Sequence, residues 1–153
     1  MLNSPTPPAC GIALIKQKEN CKLAAYLDGE GNPTIGWGHT LGVKLGDTCT
    51  QQQADAWLIG ECADFWDYII RKVKVTLTDN QGGALLCWVY NNGKMAFCDS
   101  TLLSVLNLGQ YDYVPDQIRR WKYIKVDGKK VVCQGLVNRR ESEVALWNAG
   151  GKS

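Results

Sequence analysis

The sequence predicts a mainly helical α+β protein, with a small hairpin-bearing lobe and a larger helical lobe flanking a cleft. Three observations predict it. Two capping boxes, Thr50-Gln-Gln-Gln53 and Thr78-Asp-Asn-Gln81, each open a stretch with apolar residues at helical spacing. Asp28-Gly29 and Gly31-Asn32-Pro33 are turn chemistry set between short extended runs. Hydrophobic residues make up 45% of 153 positions and include six tryptophans, enough to build a packed core in one domain or in two lobes sharing a helix.

Taken in order, residues 1–10 carry three prolines and read as a flexible leader. Residues 11–149 read as a single domain: a small lobe over about 11–50, a linking helix over about 51–71 and a helical lobe over about 72–149. Gly11 to about Asn20 fits a helix. Ile12, Ile15 and Glu19 fall on neighbouring faces, which aims Glu19 inward beside apolar residues, a setting that raises a carboxyl pKa. Leu23 to Thr40 fits a short antiparallel hairpin region. Gly36 and Gly38 flank Trp37 and permit close approach of another backbone or a ligand.

The helix opened by Thr50 has the stripe Ala54, Trp57, Leu58, Cys62, Phe65, Trp66, Ile69 and Ile70, which suits core packing better than a sugar platform. The helix opened by Thr78 runs through Ala84, Leu85, Trp88 and Val89 to Asn92-Gly93. Ser100 caps a helix to about Asn107, closed by Gly109. Val114 to Lys122 reads as another helix with Ile118 and Trp121 inward, and Gly128 marks a turn. Residues 150–153 read as a frayed end.

A net charge of +2 is too mild to argue for nucleic acid. No run approaches the ~18 apolar residues of a membrane span, so no stable membrane insertion is expected. The first residues have neither a basic nor an apolar signal region, so export by a signal peptide is not expected. Seven cysteines leave at least one unpaired in a monomer, the expected state. They read either as small buried thiols or as disulfide partners formed after release into an oxidising compartment. With no CxxC and a single histidine, no metal site is expected.

Glu19, Asp28 and Thr34 are the candidate chemistry. Hydrolysis of a glycosidic bond needs a proton donor to the leaving oxygen and a second group on the opposite side. Glu19 suits the donor. Asp28, in a polar turn, suits the ionised partner. The Thr34 hydroxyl suits holding a water rather than supplying charge. His39 reads as structural.

These residues stand in the pattern Glu-x8-Asp-x5-Thr, with A-A-Y-x-D around Asp28 and T-I-G-W-G-H-T from Thr34. Together with L-T-D-N-Q, V-Y-N-N-G, A-F-C-D-S-T-L-L, L-N-L-G and the closing G-L-V-N-R-R-x-x-E, they resemble the lysozymes (endolysins) of tailed bacteriophages over nearly the whole chain. Two positions depart from that family: Lys18 stands where an aromatic residue is usual before the Glu, and Asn20 where Gly usually follows.

The resemblance implies a lysozyme-like fold and a muramidase that hydrolyses the β-1,4 bond between N-acetylmuramic acid and N-acetylglucosamine in peptidoglycan, with inversion and no cofactor. It implies Glu19 as general acid, with Asp28 and Thr34 placing the water. It puts Tyr90 and Asn91 along the sugar cleft. Arg139 or Arg140 would pair with the catalytic Glu or Asp, while Gly36, Gly38 and His39 would support the site. The partner would be the cell-wall glycan and the role host lysis. The enzyme would wait in the host cytoplasm and act in the periplasm, after passage through a lesion or by way of a signal-anchor. A lytic transglycosylase giving 1,6-anhydro products and a non-catalytic wall-binding module stay open as alternatives.

Overall fold

The computed structural model describes residues 2–150. In chain order the elements are α1 (Ala9–Lys18), β1 (Lys22–Leu27), β2 (Pro33–Gly36), α2 (Gln51–Lys72), α3 (Asp79–Asn92), α4 (Lys94–Cys98), α5 (Thr101–Asn107), a 3-10 turn (Tyr111–Tyr113), α6 (Val114–Arg119), β3 (Tyr123–Val126), β4 (Lys129–Val132) and α7 (Gln134–Asn148). β1 pairs antiparallel with β2, and β3 with β4. The mainly helical α+β architecture read from the sequence is the one observed.

α3 is the axis of the fold. Every residue from Gly82 to Val89 is buried, because α1, α2 and α7 all pack on it. The α1–α3 approach is unusually close. A Cβ on Gly11 would lie 2.8 Å from the Gly83 Cα and carbonyl oxygen, so a side chain there would force the helices apart. Both capping boxes form. Thr50 and Thr78 each accept the N–H of the glutamine three residues on, and that glutamine accepts the cap's own N–H in return. A threonine cap of this kind stabilises a helix by about 1 kcal/mol. Ser100 caps α5 with one bond only, accepting the Leu103 N–H.

Four expectations change. The proline-rich leader is pinned to the helical lobe: Asn3 donates to Val75 O and accepts from Leu77 N–H, and the Trp66 indole donates to Ser4 O. α1 spans Ala9–Lys18, and Glu19 follows it as the C-cap in extended backbone (φ −96°, ψ 129°), its N–H still bonded to Ile15 O. α6 stops at Arg119. Trp121 lies beyond it, 36% exposed, with its ring set edge-on to the buried Trp88. Beyond the turn expected at Gly128, a second hairpin forms, with Asp127 (φ 50°) and Gly128 (φ 77°) as its two turn residues. Asp127-Gly128 between valine-rich runs is the local signal for it. The end expected to fray at 150–153 lies, from residue 151, outside the described residues.

Candidate active site

Glu19 is held from the far end of the chain. Arg139 of α7 donates from Nη1 to Glu19 Oε1 at 2.8 Å and from Nη2 to Cys87 O of α3 at 3.2 Å. The second oxygen, Oε2, lies near Gly38, as does the Tyr90 hydroxyl. A Cβ at residue 38 would sit 3.7 Å from each, and φ +98° there favours glycine. The surroundings of Glu19 are therefore a guanidinium, a phenol and a glycine turn rather than the apolar face expected of a helical position.

Arg139 is itself steadied by Glu143, a residue the sequence reading did not single out. Glu143 is fully buried one turn along α7. Its carboxylate lies 3.4 Å from Arg139 Nε and 2.7 Å from Arg140 Nε as charge contacts without hydrogen-bond alignment, and it accepts a 3.1 Å bond from Arg140 Nη2. Burial pushes its carboxyl pKa up, against the pull of the two arginines. Burial disfavours the charge on Arg139, but Cys87, Glu19 and Glu143 outweigh that and raise its pKa. Arg140, whose pKa burial lowers, donates to Asn91 Oδ1 at 2.8 Å and to Trp121 O at 3.1 Å. The two arginines thus divide: Arg139 reaches Glu19, and Arg140 reaches Asn91. The only advance signal was the closing Arg-Arg-x-x-E, which on a helix puts Glu143 within reach of both arginines.

Asp28 is held locally. It opens the turn between β1 and β2. Its Oδ1 accepts the N–H groups of Glu30 (2.9 Å) and Asn32 (2.8 Å), while the Asn32 amide lies 3.4 Å from Oδ2. The Asn32 backbone bond is the main cause of a pKa held below the ordinary 3.8. Thr34 pairs across the hairpin with Tyr26 and is buried, its hydroxyl donating to Asn32 O at 2.9 Å. The donor is spent on the turn, and the oxygen's lone pairs remain to accept. Tyr26, also not singled out from sequence, stands near both carboxylates. Its phenol pKa is raised by burial first, then by Glu19 and Asp28.

The turn after β2 is fastened to α2 and α3. The Trp37 indole donates to Asp55 at 2.7 Å. A Cβ on Gly36 would lie 3.2 Å from that of Ala54. His39 pairs through Nδ1 with Glu61 and stacks on Trp57 with ring centroids 4.3 Å apart. Tyr90 donates to Trp37 O at 2.7 Å and packs edge-on against Phe65. Its hydroxyl therefore braces α3 against this turn, and burial with Glu61 and Glu19 nearby pushes its phenol pKa well up. Asn91 is exposed at the end of α3, but its amide oxygen is already taken by Arg140. All seven cysteines are free thiols, with Cys62 and Cys87 buried.

The phage lysozyme family profile matches residues 16–143. The chain is 40% identical over 139 residues to the endolysin of Acyrthosiphon pisum secondary endosymbiont phage 1, covering 91% of this chain and 95% of that one. It is 38% identical over 142 residues to the endolysin of Salmonella phage P22, covering 90% and 94%. Its structure superposes on the endolysin from Escherichia coli O157:H7 phage FAHEc1 with a TM-score of 0.88 at 33% identity, over 97% of this chain and 96% of the other.

Proposed function

This chain belongs to the phage lysozyme family and is a glycoside hydrolase, a phage endolysin, in which we propose that Glu19 is the general acid and that Asp28 and Thr34 hold the attacking water. The substrate is the peptidoglycan glycan, cut at the β-1,4 bond between N-acetylmuramic acid and N-acetylglucosamine. What supports these roles most directly is how differently the two carboxylates are held. Arg139 anchors one oxygen of Glu19 and leaves Oε2 beside the glycine turn, where a proton can pass to the leaving oxygen. Backbone amides keep Asp28 ionised, and the weak Asn32 contact leaves Oδ2 able to take a proton from water. The Thr34 oxygen accepts that water's other hydrogen. Attack from the face opposite Glu19 gives inversion.

Peptidoglycan digested with the purified protein should yield muropeptides with reducing-end muramic acid. Products lighter by one water would mean internal attack and a transglycosylase. No cleavage would leave a wall-binding module. The first-formed anomer, followed by NMR before mutarotation, should be α. A β-anomer would make Asp28 a nucleophile.

A further inference from the structure

We propose that the β3–β4 hairpin is a membrane-surface anchor that docks on an anionic phospholipid bilayer. All eight strand residues are exposed, and each is either a large apolar residue or a lysine: Tyr123, Ile124, Lys125 and Val126 on β3, Lys129, Lys130, Val131 and Val132 on β4. The five apolar ones expose between 43% and 51% of their surface, which is unusual for five neighbours with no partner in the fold.

The register sorts them. Ile124 faces Val131, and Val126 lies two residues along the same face beside Lys129. The opposite face carries Tyr123, Lys125, Lys130 and Val132, with the ammonium groups of Lys122 and Lys130 each 5.7 Å from the Tyr123 ring centre.

Charge selects the partner's sign. Residues 120–132 hold five basic side chains against one acid, Asp127, in a chain whose net charge is only +2, so the rest of the molecule is net acidic. Chemistry selects its class. A cell-wall glycan is held chiefly through its hydroxyls and amides, to which Ile124, Val126 and Val131 can offer no hydrogen bond. A bilayer interface takes aliphatic side chains beneath its headgroups and lysines at its phosphates. The ribbon is rooted firmly enough to serve. Trp121 sits edge-on to Trp88 with centroids 4.9 Å apart, Arg140 donates to Trp121 O, and Cys133 N–H closes the base on Lys122 O at 2.8 Å. A four-residue strand is far too short to span a bilayer, so the contact lies on the surface. Such an anchor would concentrate the enzyme beside a membrane without using the groups around Glu19 and Asp28.

The test is flotation of the full chain with vesicles of mixed phosphatidylglycerol and phosphatidylcholine against vesicles of phosphatidylcholine alone. The wild-type protein should bind the anionic vesicles at least about tenfold more tightly, and salt should weaken that binding. Ile124→Ser, Val126→Ser and Val131→Ser together should cut it by about tenfold or more, with digestion of purified peptidoglycan and the melting temperature unchanged. Lys125→Glu with Lys130→Glu, which leaves the aliphatic face intact, should cut it by a similar factor. Equal binding to both vesicle types, or unchanged binding by both variants, would overturn the proposal. So would loss of sacculus binding in place of vesicle binding, which would make the glycan the occupant, or a wild-type dimer in light scattering that the triple-serine variant abolishes. Vesicle binding is read without hydrolysis, so the proposal can fail while the assigned activity stands.

Discussion

The two sides of the candidate site are built on opposite principles. The Glu19 side is assembled at long range: a residue just past α1 is held by an arginine 120 positions away, which is steadied by a buried glutamate one turn further on. The Asp28 side is assembled within five residues, by a turn whose own amides satisfy the carboxylate. The difference matches the demands of the chemistry. A group that must deliver a proton to one particular oxygen needs its direction fixed by the surrounding structure, whereas a group that must stay ionised needs only donors, and a turn supplies those.

Breaking the long-range side should have the largest effects. Glu19→Gln keeps the shape and the Arg139 bond but cannot act as an acid. Turbidity clearing of permeabilised bacteria should fall by about 10²- to 10⁴-fold with little change in melting temperature. Clearing near the wild-type rate would remove Glu19 from the role. Glu143→Leu leaves two buried guanidinium groups without their shared partner and should cost about 3–5 kcal/mol in denaturant unfolding. Asp67→Asn, which breaks the exposed Arg71 pair, should cost less than about 1 kcal/mol. Similar costs for the two would mean that burial does not set the strength of these pairs.

On the local side, Asp28→Asn should slow turnover more than Thr34→Ala, because a charged partner orients water more strongly than a hydroxyl. The reverse order in a matched rate comparison would reassign the two. Asp28 also carries a pH signature. Its folded pKa lies below the ordinary 3.8, so its contribution to stability is complete above that value and fades as the pH falls through the lower folded value. The stability gap between wild type and Asp28→Asn, followed by melting temperature, should therefore hold at neutral pH and close only below 3.8. A gap that closes at higher pH would mean that the turn does not hold the charge.

The smallest effect is a labelling difference. Burial pushes the Cys62 thiol up to about 12 and also raises that of Cys87, so both should resist alkylation in the native state and react after unfolding. Rapid native labelling of either, seen by mass spectrometry, would show that the core around α3 opens.

Features satisfied within a few residues were legible in the amino-acid order. Thr50, Thr78 and Ser100 start helices where their side chains can reach the N–H three positions on. Asp28 with Asn32 makes a turn, and Glu19, Asp28 and Thr34 stand out by their spacing together with the glycine-rich segment. The β3–β4 hairpin was also locally encoded, in Asp127-Gly128, but lysines interleaved with valines blurred its alternation. What the order of residues could not decide was partnership. Arg139 and Arg140 are adjacent and chemically identical, and only the packing of α7 on α3 sends one to Glu19 and the other to Asn91. Tyr90 is an aromatic residue at a helix end in the sequence, and it becomes a brace because Trp37 O and Phe65 come to meet it. Helix starts and chain reversals are written in the order of the residues, since those hydrogen bonds close over three to five residues. Which charges meet is set by packing, since it depends on helices brought together by burial across the whole chain.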